Sequence, residues 1–142
     1  MRSLLDVSVL LALLDADHVD HLRVQQTAAQ WLSDGWASCP ITQNGFVRII
    51  SQPRYPSPVT TPQAVGQLAA AAAHTSHEFW PDDLSLLDPD VLDGAALLGP
   101  RQITDAYLLA LAVRRDGQLV TLDRAISLAA IPGATAAHLT VL

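Results

Sequence analysis

The chain has 142 residues, 50% of them hydrophobic, which suffices for one buried core and is too few for two domains of ordinary size. Its net charge of -6 excludes a surface that coats nucleic acid by positive charge alone. The only cysteine, Cys39, excludes an intramolecular disulfide, and no apolar stretch approaches the roughly 20 residues of a membrane span. We therefore expect one domain over residues 1–142, located in the cytoplasm and making no contact with a membrane.

The first third of the chain predicts two strands, each followed by helical sequence. Residues 2–5 are predicted as a short buried strand and residues 7–14 as the helix that leaves it. A second helix is predicted over residues 20–33. Residues 36–39 then predict the second strand, and residues 42–50 predict a third helix with its apolar side chains on one face.

The middle of the chain predicts a loop, a helix, a strand and a further short helix. Four prolines within residues 53–62 leave that segment little freedom to be anything but a loop. The alanine-rich residues 63–74 predict a helix, and residues 78–80 predict a third strand. Asp88, followed by a proline, predicts the N-cap of a short helix that ends near Gly99.

The last third predicts a buried helix and two more strands. Residues 105–116 are apolar almost all round, which is typical of a helix packed on several sides. Residues 118–122 predict a fourth strand, residues 124–130 a helix, and residues 138–141 an edge strand. Strands that alternate with helices predict an α/β fold, with a mainly parallel sheet and helices on both faces.

Four polar residues stand where this sheet should present one edge. Asp6 and Asp123 directly follow predicted strands, while Gln43 and Asp105 lie at the starts of predicted helices. The helix from Asp105 rises about 18 Å, and the strand after it returns about 16 Å. Because these lengths match, Asp105 and Asp123 should finish at the same level, in the crevice where open α/β sheets bind ligands.

Three aspartates at one edge predict a metal site. Carboxylates about 4 Å apart repel by a few kcal/mol, so their convergence requires a bound cation or a shared proton. Oxygen donors without cysteine or paired histidine suit Mg²⁺ or Mn²⁺ and disfavour zinc. We therefore predict that Asp6, Asp105 and Asp123 are catalytic residues that hold a cation able to bind phosphate and activate water.

A hydroxyl side chain accompanies each of the three aspartates. The pairs are Ser8 with Asp6, Thr104 with Asp105, and Thr121 with Asp123. Each hydroxyl is predicted to orient the neighbouring carboxylate or a bound water. Taken singly, each aspartate would also suit a helix or turn cap, and only their combination favours a site.

Four ordered blocks of sequence resemble a known family. They are residues 4–8 (LLDVS), 40–48 (PITQNGFVR), 104–112 (TDAYLLALA) and 121–124 (TLDR). In order and spacing they resemble the PIN-domain ribonuclease toxins of the VapC type, over nearly the whole chain.

The resemblance implies a fold, an activity and partners. The fold would be a three-layer α/β/α sandwich with a central, mainly parallel sheet. The activity would be cleavage of RNA, with tRNA or rRNA as the substrate, by a divalent-metal-dependent endoribonuclease that uses Mg²⁺ or Mn²⁺. The protein would be the toxin of a toxin–antitoxin system, inhibited by a VapB-type antitoxin and prone to form a homodimer. The acidic positions that carry over as metal ligands are Asp6, Asp105 and Asp123.

One position departs from the family pattern. The family usually has glutamate where this chain has Gln43, and glutamine offers only a neutral carbonyl oxygen. Glu78, the only glutamate in the chain, lies on a predicted strand with no reason to enter the crevice. We hypothesise that Gln43 lines the site as a catalytic residue that holds a metal-bound water. Arg48, about one helical turn further on, is predicted to bind substrate phosphate, although a solvated surface position suits it equally.

Two other functions remain open at this stage. A PIN-fold protein weakened by Gln43 would bind RNA or its antitoxin without efficient cleavage, and Gln43→Glu would then restore activity. An aspartate-based phosphatase would use Asp6 as its nucleophile, but such enzymes typically have a second acid two positions later, where this chain has Ser8.

Overall fold

A sheet of five parallel strands organises the chain, which the computed structural model describes over residues 1–142. The strands are β1 (Ser3–Leu5), β2 (Trp36–Ser38), β3 (His77–Phe79), β4 (Gln118–Thr121) and β5 (Leu139–Val141). Their order across the sheet is β3-β2-β1-β4-β5, and every neighbouring pair is parallel. The predicted parallel α/β architecture is confirmed.

Five α-helices cover the two faces of this sheet. They are α1 (Val7–Leu14), α2 (His21–Trp31), α3 (Pro40–Ile50), α4 (Thr61–Ala72) and α5 (Ile103–Arg114). Side chains of a strand alternate between faces, and β1 shows this directly. Leu4 packs in the core cluster that includes α5, whereas Leu5 packs in the cluster that includes α1, α3 and α4. The result is a three-layer α/β/α sandwich. None of its helices is both long and apolar enough to cross a membrane.

The central strand β1 marks the point at which the chain reverses its direction across the sheet. From β1 the chain proceeds outward through β2 and β3, and then it returns to place β4 and β5 on the other side of β1. Leu5 aligns with Val120, so the residues that follow β1 and β4 emerge side by side. Ligands of open α/β proteins bind at such a switch point, outside the carboxyl ends of the strands.

The prediction of a helix between Asp88 and Gly99 is wrong. The Asp88 carbonyl accepts from the backbone N–H groups of Val91 and Leu92, which makes one turn. Val91 and Leu92 are then buried in the core, and the next backbone N–H donates to the Ala130 carbonyl instead of continuing a helix. Only a short 3₁₀ turn, Gly94–Ala96, follows.

The helix predicted over residues 124–130 is also wrong. The Asp123 carboxylate accepts from the backbone N–H of Ala125 at 2.7 Å, and the Ser127 hydroxyl accepts from that of Ala129 at 3.2 Å. These side chains take the backbone donors that a helix would use, so the segment forms turns and one 3₁₀ element, Leu128–Ala130.

Three helices begin two residues earlier than their sequence patterns predict. Helix α4 begins at Thr61, after Thr60 as its N-cap, instead of at residue 63. Helix α3 begins at Pro40. The first N–H groups of a helix have no partner within the helix, so a proline, which lacks the N–H, is tolerated in the first turn. Helix α5 begins at Ile103, so Asp105 lies inside its first turn, where the helix dipole favours a negative charge.

Candidate active site

Asp6 is a carboxylate held from three directions at the end of β1. It caps α1, since its Oδ1 accepts from the backbone N–H of Val7 at 2.6 Å. Its Oδ2 accepts from the hydroxyls of Ser8 at 2.9 Å and Thr121 at 2.8 Å. Asp6 is only 8% exposed, so these donors replace most of the water that it loses on folding. The structure therefore holds the Asp6 carboxylate in a fixed orientation.

The hydroxyls of Ser8 and Thr121 join the ends of β1 and β4. Besides donating to Asp6, Ser8 Oγ accepts from the backbone N–H of Leu122 at 3.2 Å. Thr121 Oγ1 accepts from the backbone N–H of Asp123 at 3.0 Å. The Thr121 hydroxyl thus donates its hydrogen bond to the Asp6 carboxylate and not to that of Asp123, and its role in orienting a bound water stays a prediction.

Asp105 faces the other two aspartates from the start of α5. Burial, followed by the negative charges of Asp6 and Asp123, raises the pKa of Asp105 from 3.8 to about 6. Asp123 is exposed and uses Oδ1 to accept from the backbone N–H of Ala125. The Thr104 hydroxyl is exposed and makes no hydrogen bond to Asp105. The carboxylates thus share one acidic edge of the sheet.

The Gln43 side chain makes its hydrogen bond with Ser38 and not with these carboxylates. Its Nε2 donates to Ser38 Oγ at 3.0 Å, and Ser38 Oγ lies 2.8 Å from Nε2 of His77. The Gln43 side chain also lines a groove of about 390 Å³ between α3 and α4, whose other walls include Leu68. The structure therefore gives Gln43 one side-chain hydrogen bond, to Ser38 of β2, and none to the three aspartates.

Arg48 lies on the opposite flank of α3 from Gln43. It is exposed, and none of the ion pairs of the molecule includes it. It lines a cavity together with Val7 and Thr104, the immediate sequence neighbours of Asp6 and Asp105. Its guanidinium is consequently available beside the acidic edge.

Comparison with known proteins identifies the family. A family profile described as PIN domain matches residues 3–132. Ribonuclease VapC44 of Mycobacterium tuberculosis is 58% identical over 142 residues, which cover 100% of both chains. This chain belongs to the PIN-domain family, and within it to the VapC proteins. The resemblance seen in the four sequence blocks is thereby confirmed.

Two further comparisons agree with this assignment. Ribonuclease VapC39 of M. tuberculosis is 44% identical over 134 residues, covering 94% of this VapC-type chain and 96% of the relative. The crystal structure of VapBC2 from Rickettsia felis, bound to a DNA fragment from their promoter, contains a similar fold. Its TM-score is 0.55 at 13% identity, with 87% of this chain and 89% of that chain covered. The predicted PIN-like α/β/α fold is confirmed.

The side chains at the acidic edge match the divalent cation that this family implies in donor chemistry and in charge. Carboxylate oxygens are the hard donors that Mg²⁺ and Mn²⁺ prefer, and the repulsion that raises the pKa of Asp105 is what a cation would relieve. As the side chains lie, however, no three Asp, Glu, His or Cys residues are arranged to hold one metal ion. The donor chemistry and the charge fit a cation, and joint ligation by all three aspartates requires the side chains to move from these positions.

The sequence did not point to three residues that shape this region. Asp82 lies near the start of α3, and its Oδ2 accepts from the backbone N–H of Ile41 at 3.1 Å. Gly45 faces α1 so closely that an added Cβ would lie 2.4 Å from Cγ2 of Val7. Asn44 is exposed on the same side as Arg48. A glycine in the middle of a helix was a visible signal of close packing, whereas nothing in the sequence linked residue 82 to α3.

Proposed function

We propose that this VapC-type protein is an endoribonuclease that cleaves phosphodiester bonds of RNA, and that it acts as the toxin of a toxin–antitoxin pair. One observation carries the proposal: Asp6, Asp105 and Asp123 lie at one edge of the sheet, where burial of Asp105 and the negative charges of the other two raise its pKa to about 6. RNA is a polyanion, so it cannot approach the three carboxylates unless a cation compensates their negative charge. Ribonuclease names among relatives of up to 58% identity over the full chain support the same activity.

In this proposal Asp6, Asp105 and Asp123 hold Mg²⁺, for which Mn²⁺ can substitute. When bound, the cation supplies charge neutralisation for a phosphate and lowers the pKa of a coordinated water. Asp6 contributes a carboxylate whose orientation is set by Ser8, Thr121 and the backbone of α1. Asp105 contributes a carboxylate whose pKa is raised to about 6 by burial and by the charges of Asp6 and Asp123.

A VapB-type antitoxin is the partner that the VapC assignment supports. We propose that it presents an arginine or lysine to the acidic edge, because a positive charge complements the three carboxylates. The substrate is proposed to be a tRNA or an rRNA, and the assembly to include a homodimer. We further propose that the protein acts in the cytoplasm and that residues 1–142 form one PIN-like domain.

A purely binding function is not favoured. That alternative depended on Gln43 weakening the site, and Gln43 makes its side-chain hydrogen bond with Ser38 instead of with an aspartate. Since the three carboxylates keep their own contacts without it, nothing in the geometry removes their capacity for catalysis.

The test is incubation of the purified protein with total RNA in Mg²⁺, in Mn²⁺ and in chelator. Cleavage is expected with either ion and absent with chelator. Asp105→Asn is expected to abolish it. The matched control is Asp116→Asn at the opposite end of α5, where the positive φ of 51° is one that asparagine tolerates. Cleavage that survives Asp105→Asn, or that is lost equally in Asp116→Asn, would contradict the assignment.

A further inference from the structure

A cavity of about 360 Å³ opens directly beside the acidic edge. It lies between the start of α1, one flank of α3 and the start of α5, and its lining includes Val7, Ile41, Asn44, Arg48, Asp82 and Thr104. Val7 adjoins Asp6 and Thr104 adjoins Asp105 in the chain. A group in this cavity would therefore be next to whatever reacts at the carboxylates. Its volume falls in the range of about 300–1,000 Å³ that is usual for small-ligand sites.

The walls of this cavity are held in place by contacts of the protein itself. Helix α3 approaches α1 closely, because Gly45 leaves no side chain between the backbone and Val7. At the first turn of α3, the Asp82 carboxylate accepts from the backbone N–H of Ile41 and so ties that turn to the segment after β3. The cavity is accordingly formed before any ligand binds.

Two polar side chains at the rim of the cavity have no partner within the protein. Arg48 takes part in no ion pair, and the side chain of Asn44 makes no hydrogen bond. Both are exposed, and they lie four residues apart on one face of α3, with Asn44 also bordering the groove toward α4. A guanidinium binds phosphate oxygens in a bidentate manner, while an amide offers both a donor and an acceptor to a base edge.

We propose that this cavity is a subsite for one nucleotide of the RNA chain, adjacent to the phosphate that is cleaved. Arg48 binds the backbone phosphate of that nucleotide, and Asn44 contacts its base and so determines sequence preference. The proposal rests on the ribonuclease activity proposed above. At the rim, charge favours RNA over an antitoxin side chain as the occupant, because a basic side chain would be repelled by the unpaired Arg48. The Asp82 carboxylate in the same lining is engaged with the backbone N–H of Ile41.

The experiment uses the full chain and a short oligoribonucleotide with a randomised centre. Product ends are sequenced to obtain the base preference on each side of the cut, and kcat and KM are measured separately. Arg48→Ala is expected to raise KM by about tenfold for all sequences, because phosphate contacts do not depend on the base. Asn44→Ala is expected to reduce the base preference at a single position beside the cut. Arg54→Ala and Gln30→Ala, two exposed residues outside the cavity, are expected to change neither quantity by more than about twofold.

Each outcome of this experiment has a definite meaning. If wild type cleaves and both variants keep its KM and its base preference, the cavity is not a nucleotide subsite. The same conclusion follows if the two variants lose capture of a VapB-type antitoxin while RNA kinetics stay unchanged. If wild type does not cleave at all, the proposed function fails. Binding of the same oligoribonucleotide, carrying a label, then tests the subsite separately. Base-dependent binding that Asn44→Ala removes supports the subsite, and binding that neither variant alters overturns it.

Discussion

Thr121 donates a hydrogen bond of 2.8 Å to the carboxylate of Asp6, 115 positions away in the sequence. The contact exists because β4 pairs with β1 in a register that aligns Val120 with Leu5. The same hydroxyl accepts from the backbone N–H of Asp123, so one side chain connects two of the three aspartates. The position of the acidic edge therefore depends on a strand pairing, and it can be tested there.

Replacing Thr121 by valine should weaken both stability and cleavage. Valine matches the shape of threonine but leaves the 8% exposed Asp6 with one donor fewer and the Asp123 N–H without its acceptor. A hydrogen bond to a charged group contributes about 1.5–3 kcal/mol, so urea unfolding should show a loss of that size. Cleavage should fall in parallel. Thr121→Ser retains the hydroxyl and is the control; a valine variant as stable and active as the serine variant would contradict the role assigned to this contact.

Gln43→Glu should change cleavage by less than about tenfold, an effect below 1.4 kcal/mol on the barrier. The reason is that residue 43 contacts Ser38 and not the aspartates. A glutamate cannot donate to Ser38, so the Ser38 hydroxyl would donate to the glutamate, and Nε2–H of His77 would donate a hydrogen bond to Ser38 Oγ. The pKa of His77 should rise in consequence. Single-turnover cleavage and NMR titration of His77 measure the two effects, and a large gain in cleavage would show that residue 43 acts in the catalytic crevice after all.

His77 should make the folded state less stable in acid. Burial lowers the pKa of His77 below 6.5, the nearby Arg2 lowers it further, and both the Ala72 carbonyl and Glu78 oppose the shift. The unfolded chain then binds a proton at a higher pH than the folded chain, so the free energy of unfolding decreases as pH falls through the unfolded pKa. His77→Gln should remove this part of the pH dependence. Urea unfolding between about pH 5 and pH 7.5 measures it, with the exposed His74→Gln as control. If wild type and His77→Gln show parallel curves, His77 does not titrate differently on folding.

Alanine should have opposite effects at two helical glycines. At Gly45 the new Cβ meets Cγ2 of Val7 at 2.4 Å, and overpacking of this kind costs about 1–3 kcal/mol against the roughly 1 kcal/mol that alanine gains in a helix. At Gly66 of α4 nothing lies within 4 Å of the new Cβ, so only the gain remains. Thermal unfolding should therefore show a lower Tm for Gly45→Ala and a higher Tm for Gly66→Ala. Cleavage should fall only for Gly45→Ala, because Val7 adjoins Asp6. A Gly45→Ala protein that gains as much stability as Gly66→Ala would rule out the close α1–α3 contact.

Most of the fold could be predicted because its elements depend on local sequence. The helices α1 and α2 and the five strands follow hydrophobic patterns, and a pattern of period 2 or 3.6 remains visible without neighbours. The two helices that were wrongly predicted, after Asp88 and after Asp123, have good helical starts. In the first, the backbone N–H of Asp93 donates to the Ala130 carbonyl instead of continuing a helix. In the second, the Asp123 carboxylate accepts from the backbone N–H of Ala125.

The sequence by itself determined the family, the parallel α/β architecture and the expectation that Asp6, Asp105 and Asp123 share one edge, because the carboxyl ends of parallel strands must lie together. Their catalytic roles stay predictions. Only the tertiary structure decided where each side chain points: that Thr121 serves Asp6, that Gln43 turns to Ser38, and that Asn44 and Arg48 border a cavity. The physical reason is that strand order and helix position depend on chain direction and burial, whereas side-chain direction depends on packing between elements far apart in the sequence.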